Sequence, residues 1–124
     1  MRNGRAPAEL RSAAPVLCVS DLRTMLAYFE TQLGFRVQGT AGDLPSWASL
    51  ARDGMEIMLV CGNYPKPAAD WTAYIYVTDA DALYGEIKQR GAEILAEPID
   101  KPYGCREFEV RLPDGSLLAF GANV

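Results

Sequence analysis

Hydrophobic and polar positions along this chain alternate, step at helical intervals and alternate again, and they do so twice in the same order. The segment VLCVSDLRTMLAYFETQLGFRV, beginning at Val16, and the segment YIYVTDADALYGEIKQRGAEI, beginning at Tyr74, share one plan. Each opens with a short run rich in β-branched or aromatic residues, as strands do. Ser20-Asp21 and Thr78-Asp79 come next, and their side-chain oxygens can accept from the unpaired amides that begin a helix. Leu22, Met25, Leu26, Phe29 and Leu33 then recur on one helical face, and Ala80, Leu83 and Ile87 do the same in the second copy. Gly34 and Gly91 stop the two helices, since a residue without Cβ enters the left-handed closing conformation at little cost.

The parallel continues beyond the helices. Arg52-Asp53-Gly54 precedes MEIMLVCG, and Pro113-Asp114-Gly115 precedes SLLAFG, each reading as a hairpin turn between antiparallel strands. The plan βαβββ, repeated, predicts an α+β fold in which two tandem modules form a curved mixed sheet. Strands are expected near 15–20, 35–40, 46–52, 55–61, 72–78, 92–96, 105–112 and 116–121. Residues 1–14 read as an N-terminal tail or an exchanged segment, and 15–124 as a single domain with modules at about 15–62 and 72–121. Asn63 to Ala69, with Pro65 and Pro67, is the extended linker between them.

Composition narrows the function. At 124 residues and 49% hydrophobic, the chain can bury one real core but not two. No apolar run approaches the roughly 20 residues that span a bilayer, so no membrane role is expected. The first residues carry Arg2, Arg5 and Arg11 without the apolar stretch of a secretory leader, which points to the cytoplasm. A net charge of −4 argues against nucleic acid as a partner, because phosphate-backbone binding needs a clustered basic surface. Cys18, Cys61 and Cys105 are odd in number and widely spaced, which suits neither a disulfide framework nor a CxxC site. Cys18 and Cys61 fall in apolar strand patterns and read as small core residues.

The chain contains no histidine. Imidazole is the commonest ligand for zinc, iron and nickel and the usual base near neutral pH, so its absence biases the reading away from metal chemistry and toward binding.

The segments SAAPVLCVSD, YFETQLGF, KPYGCREFEVRLPDG and SLLAFG, together with the repeated βαβββ plan, resemble the vicinal oxygen chelate superfamily. That superfamily holds glyoxalases, bleomycin resistance proteins and extradiol dioxygenases, and the likeness is closest to the bleomycin resistance proteins. It runs from Ser12 to Gly121, with PYGCREFEVRLPDG as the most specific motif. The metal enzymes of the superfamily draw His and Glu ligands from the first, fourth, fifth and eighth strands. Those positions fall here near Ala14, Met58, Thr72 or Ala73, and Ala119, which cannot hold a divalent ion well. Glu56 stands nearby without partners, and Glu107 and Glu109 are alternative carboxylates on the seventh strand, read as solvent-facing and structural in preference to ligating. The resemblance therefore implies a scaffold used without metal or other cofactor.

Bleomycin-resistance relatives are metal-independent homodimers whose two subunits form grooves for a bulky, cationic, planar-tailed antibiotic. Carried over residue by residue, the resemblance matches Trp47 to a groove-lining aromatic. Tyr74 and Tyr76 stand where aromatic residues occupy the fifth strand, and Tyr103 replaces a tryptophan before GCREF. Met58 would flank Trp47. Tyr74 and Tyr76 share a face, either the open side of the sheet or the side under a helix. Trp71 reads as a linker residue able to cap the core, Asp43 and Asp70 as solvated or at the groove mouth, and Arg106 as an ion-pair partner or ligand contact. Pro15 marks either a plain strand start or an N-terminal segment exchanged between subunits.

The implied function is a small-molecule binding protein that sequesters a cationic or aromatic ligand, such as a bleomycin-like glycopeptide, at a homodimer groove. Catalysis is not required. The alternative is a non-metal lyase, isomerase or transferase using Glu56, Cys61 or a tyrosine such as Tyr74. A third reading is a degenerate scaffold that binds a partner or regulates one.

Overall fold

The computed structural model describes Gly4, residues 6–65 and residues 70–124. Part of the anticipated tail, at 1–3 and 5, and the 66–69 portion of the anticipated linker, with Pro67, lie outside the described residues.

Among the described residues, eight strands and two helices follow the order β1 (Val16–Val19), α1 (Leu22–Thr31), β2 (Arg36–Ala41), β3 (Trp47–Arg52), β4 (Met55–Cys61), β5 (Trp71–Tyr76), α2 (Ala80–Gln89), β6 (Glu93–Asp100), β7 (Cys105–Arg111) and β8 (Leu117–Asn123). They build two four-stranded mixed sheets, ordered β1-β4-β3-β2 and β5-β8-β7-β6. In each, the first strand runs parallel to the last while the other pairs are antiparallel. A parallel pair needs a long crossover, and in each module the helix and two further strands supply it.

Asp21 and Asp79 cap the helices, their carboxylates accepting from the amides of Thr24 and Ala82. Strand β6 continues to Asp100, beyond the expected stop near residue 96, because two irregularities at Ile94/Ala96 and Ala96/Ile99 let it bend and stay paired with β7. Buried Pro98 sits in this edge strand, where a missing N–H is tolerated.

One hydrophobic core spans both modules. Phe29, Met25, Leu33, Leu50, Ile57 and Leu59 fill it from the first half, and Ile87, Phe108, Val110 and Leu118 from the second. Burying each of the larger side chains contributes about 1.5–3 kcal/mol. The halves meet through their helical sides. Arg52, at the β3–β4 turn, reaches Glu86 of α2 at 2.7 and 2.9 Å and donates to the Leu33 carbonyl at 2.7 Å. Arg90 donates to the Thr31 carbonyl, and the Tyr28 hydroxyl to that of Arg111. Gly34, at φ +72°, lets the guanidinium of Arg52 approach, since a Cβ there would lie 3.0 Å from Arg52 Nη1. The sheet faces opposite the helices consequently turn outward.

Candidate functional site

Strand pleating decides which side chains reach those outward faces. In β3 and β4, Ala48, Leu50, Ile57 and Leu59 point into the core, so Trp47, Ser49, Ala51, Glu56, Met58 and Val60 lie on the other side. Trp47 pairs with Val60 and Ser49 with Met58, which places Trp47 and Met58 on one face in neighbouring rows. Glu56, half-buried there, accepts the Ser49 hydroxyl, and Gln38 donates to the same Ser49 oxygen.

On the second sheet Ile75, Phe108, Val110, Leu118 and Phe120 face the core. Tyr74 and Tyr76 thus emerge on the face away from α2, resolving the choice that the spacing left open. Tyr74 contacts Trp71 edge-on at 5.1 Å and Tyr76 at the same centroid distance. Trp71 is the first residue of β5 and belongs to this aromatic row, not to a cap over the core. Tyr103, in the β6–β7 connection and 60% exposed, stands beside them.

Glu107 organises this face. It is only 2% exposed, which overturns its reading as a solvent-facing carboxylate. Its Oε1 accepts from the Tyr74 hydroxyl at 3.0 Å and from the Tyr103 hydroxyl at 2.5 Å. Both phenols hold their protons more tightly than usual. The hydrogen bond to Glu107, seconded by partial burial, pushes Tyr103 up to about 12. Tyr74 is raised still further, first by desolvation and then by hydrogen bonds to Cys105 and Glu107.

Gly121 makes this geometry possible. It pairs with Glu107 on one side and Tyr76 on the other, and the Tyr74 ring crosses directly over it; a Cβ would lie 1.8 Å from the Tyr74 hydroxyl oxygen. Sequence reasoning weighed Glu107 only as a solvent-facing carboxylate or a metal ligand, and it missed Gly121. The available signal was the two-residue period of CREFEVR, which sets Cys105, Glu107 and Glu109 opposite Phe108 and Val110, beside the small residues of LLAFGA.

Other expectations change as well. Cys18 is exposed on the outward face of an edge strand and is not the core filler its apolar surroundings suggested, whereas half-buried Cys61 does pack against the core. Buried Cys105 donates its thiol to Asn123 Oδ1. Arg106 is ion-paired with Asp81 at 2.8 Å and Asp100 at 3.2 Å.

The five residues singled out for ligand binding do not converge within one chain. Trp47 and Met58 occupy one sheet, Tyr74 and Tyr76 the other, and Tyr103 the β6–β7 connection beside that second sheet. Joining the halves through their helical sides keeps those two faces apart. A cleft of about 530 Å³ does lie between the halves, floored by Leu33, Phe35, Ile75, Ile87 and Phe120, and only Tyr76 of the five borders it.

The donor set does not fit a divalent metal. Among the described residues no group of three or more Cys, Asp or Glu side chains is placed to hold one. No helix of the described residues is long and apolar enough to cross a membrane.

A family model described as the glyoxalase/bleomycin resistance protein/dioxygenase superfamily matches residues 11–120. No curated protein matches the chain. Among solved structures, a bleomycin-binding protein from bleomycin-producing Streptomyces verticillus, complexed with copper(II)-bleomycin, is similar at TM-score 0.78 and 28% identity, with 95% of this chain and 100% of that one covered. A bleomycin resistance determinant encoded on the transposon Tn5 aligns at TM-score 0.78 and 24% identity, covering 92% and 98%. TnmS3, an antibiotic-binding protein from Streptomyces sp. CB03234, aligns at TM-score 0.73 and 20% identity over 94% and 100%.

Proposed function

Because the chain belongs to the glyoxalase/bleomycin resistance protein/dioxygenase superfamily, we propose that it is a metal-independent binding protein that captures a cationic or aromatic small molecule without transforming it. The ligand stacks on the outward aromatic face of β5–β8, and the Trp47 and Met58 face of a second copy closes the groove. One observation carries this reading: Trp71, Tyr74, Tyr76 and Tyr103 share a single sheet face around the buried carboxylate of Glu107.

Such rings stack on flat heteroaromatic groups and attract cations through their quadrupoles, each contact adding on the order of 1 kcal/mol. Tyr76, 69% exposed, has most of its ring free for a ligand. The lack of a ligating cluster among the described residues favours capture over metal chemistry. A second copy is favoured because neither face alone encloses a bulky molecule, whereas two facing sheets do. The free thiols suit a reducing, cytoplasmic setting. The bound antibiotic in the Streptomyces verticillus structure makes bleomycin-type glycopeptides the first ligands to try.

Calorimetry of the metal-free chain with bleomycin and other cationic planar antibiotics tests the binding, and sedimentation tests the dimer. Micromolar or tighter binding at one ligand per groove is expected. A monomer that takes up none of them would refute the assignment.

A further inference from the structure

Glu107 is a buried carboxylate with no cationic partner. None of the ion pairs among the described residues includes it; its neighbour Arg106 points to the helical side and is engaged by Asp81 and Asp100. Burying such a group without compensation is costly, and native structures seldom leave one unexplained. Its hydrogen bonds are also one-sided. Tyr74 and Tyr103 both donate to Oε1, and among the described residues Oε2 accepts from no group. No fully buried side-chain oxygen among these residues lacks a partner, so Oε2 keeps an opening to the outside. Strand pleating sets Glu107 opposite core-facing Phe108 and Val110, on the face that carries Tyr74 and Tyr103.

From these observations we infer that Glu107 Oε2 is the anchor for a protonated primary amine of the ligand, an N–H-donating cation seated between the rings of Tyr74 and Tyr103. The inference rests on the aromatic face being the binding surface and names the chemistry that the face selects. Rings alone would accept a quaternary ammonium as readily as a primary one, because cation–π attraction needs no donor. A carboxylate oxygen needing a proton donor discriminates between them, since a charge-assisted hydrogen bond is stronger than a neutral one and the quaternary ion cannot form it. Two phenols on Oε1 fix the carboxylate plane, so Oε2 is held ready for the ligand. Tyr103 lies within the β6–β7 turn, just before Gly104 at φ +87°, and its exposed ring is tied to Glu107 through its hydroxyl.

The test uses the full chain and two probes with the same indole ring and charge: tryptamine, protonated at neutral pH, and its N,N,N-trimethyl analogue, which has no ammonium N–H. Amide signals of β7 and β8 are followed by NMR during titration. Tryptamine should shift the signals around Glu107 and Gly121 and bind the wild type at least about tenfold more tightly than the trimethyl analogue. In Glu107→Gln, which keeps an acceptor for both phenols, that preference should vanish while weak stacking of both probes remains. Equal affinity in the wild type, or a preference that survives in Glu107→Gln, overturns the anchor. The wild-type comparison stands whether or not the variant folds. Equal binding of both probes at Tyr74 and Tyr103 removes the anchor but leaves the aromatic face in place. If neither probe shifts this face and the antibiotics give no heat, the binding reading itself falls, and the anchor with it.

Discussion

At the scale of single residues, the second sheet depends on a missing side chain. Gly121→Ala places a methyl group where the Tyr74 hydroxyl now lies, so the ring must leave its path to Glu107. Overpacking of this kind costs about 1–3 kcal/mol, and a lowered urea midpoint together with lost binding of cationic aromatic ligands is the expected outcome. A variant as stable and as competent as the wild type would contradict the close approach. Trp47→Ala on the other sheet is expected to leave the fold intact and weaken ligand capture about five- to tenfold, measured as a change in Kd. Tyr28 supplies a test in alkali. Burial, with Glu93 nearby, pushes its phenol up to about 12 from an ordinary value near 10. Between those values the unfolded chain gives up this proton and the folded chain keeps it. Stability is therefore complete below about pH 10 and declines as pH rises toward 12, whereas Tyr28→Phe should show a shallower decline in denaturant titrations over that window.

At the scale of elements, both helices begin the same way, and the caps were legible in sequence because Asp followed by helical periodicity has few other uses. Asp79 accepts from the Ala82 amide at 2.9 Å, so Asp79→Ala should cost about 1 kcal/mol in thermal or urea unfolding. Asp21 does the same for Thr24, and its carboxyl lies below the usual range chiefly because of that backbone hydrogen bond. Its folded-state value is depressed, so its contribution is present above the ordinary carboxylate range and is lost as pH falls through the lowered one. Asp21→Asn should flatten the acid limb of the stability profile. Strand existence was legible too, from turn signals and alternation. The ends of β6 were not, because an irregular edge strand follows its paired neighbour and leaves no periodicity of its own.

For the whole molecule, the decisive contact is Arg52 with Glu86, one residue from each module. The pair holds the arginine proton more firmly, first through the hydrogen bond to Glu86, and lowers the Glu86 carboxyl for the same reason. Glu86 is more than a third exposed, so solvent screening leaves the ion pair worth about 1 kcal/mol or less. Arg52→Met also removes the donor to the Leu33 carbonyl and should lower stability by about 1–2 kcal/mol. Hydrogen exchange would register it as faster opening at the end of α1 and in α2, with the strand cores little changed. Since this contact joins the helical sides, it leaves the two outward faces free for the second copy proposed above.

The repeat, its capped helices, its hairpins and the hydrophobic stripes were all written in local sequence, because each depends on residues a few positions apart. The absence of histidine likewise removed the commonest metal ligand without reference to shape. The aromatic candidates on β5 were legible as a pair sharing a face, but which face they took required knowing where α2 lies. Glu107 looked like any charged strand residue, and only the ring crossing Gly121 and the phenol of Tyr103 reveal that it is buried. Tertiary packing also separated Trp47 and Met58 from the tyrosines, because two modules joined through their helices present opposite surfaces. Short-range pattern specifies elements; burial and the pairing of distant strands arise from chain segments that meet only in the folded molecule.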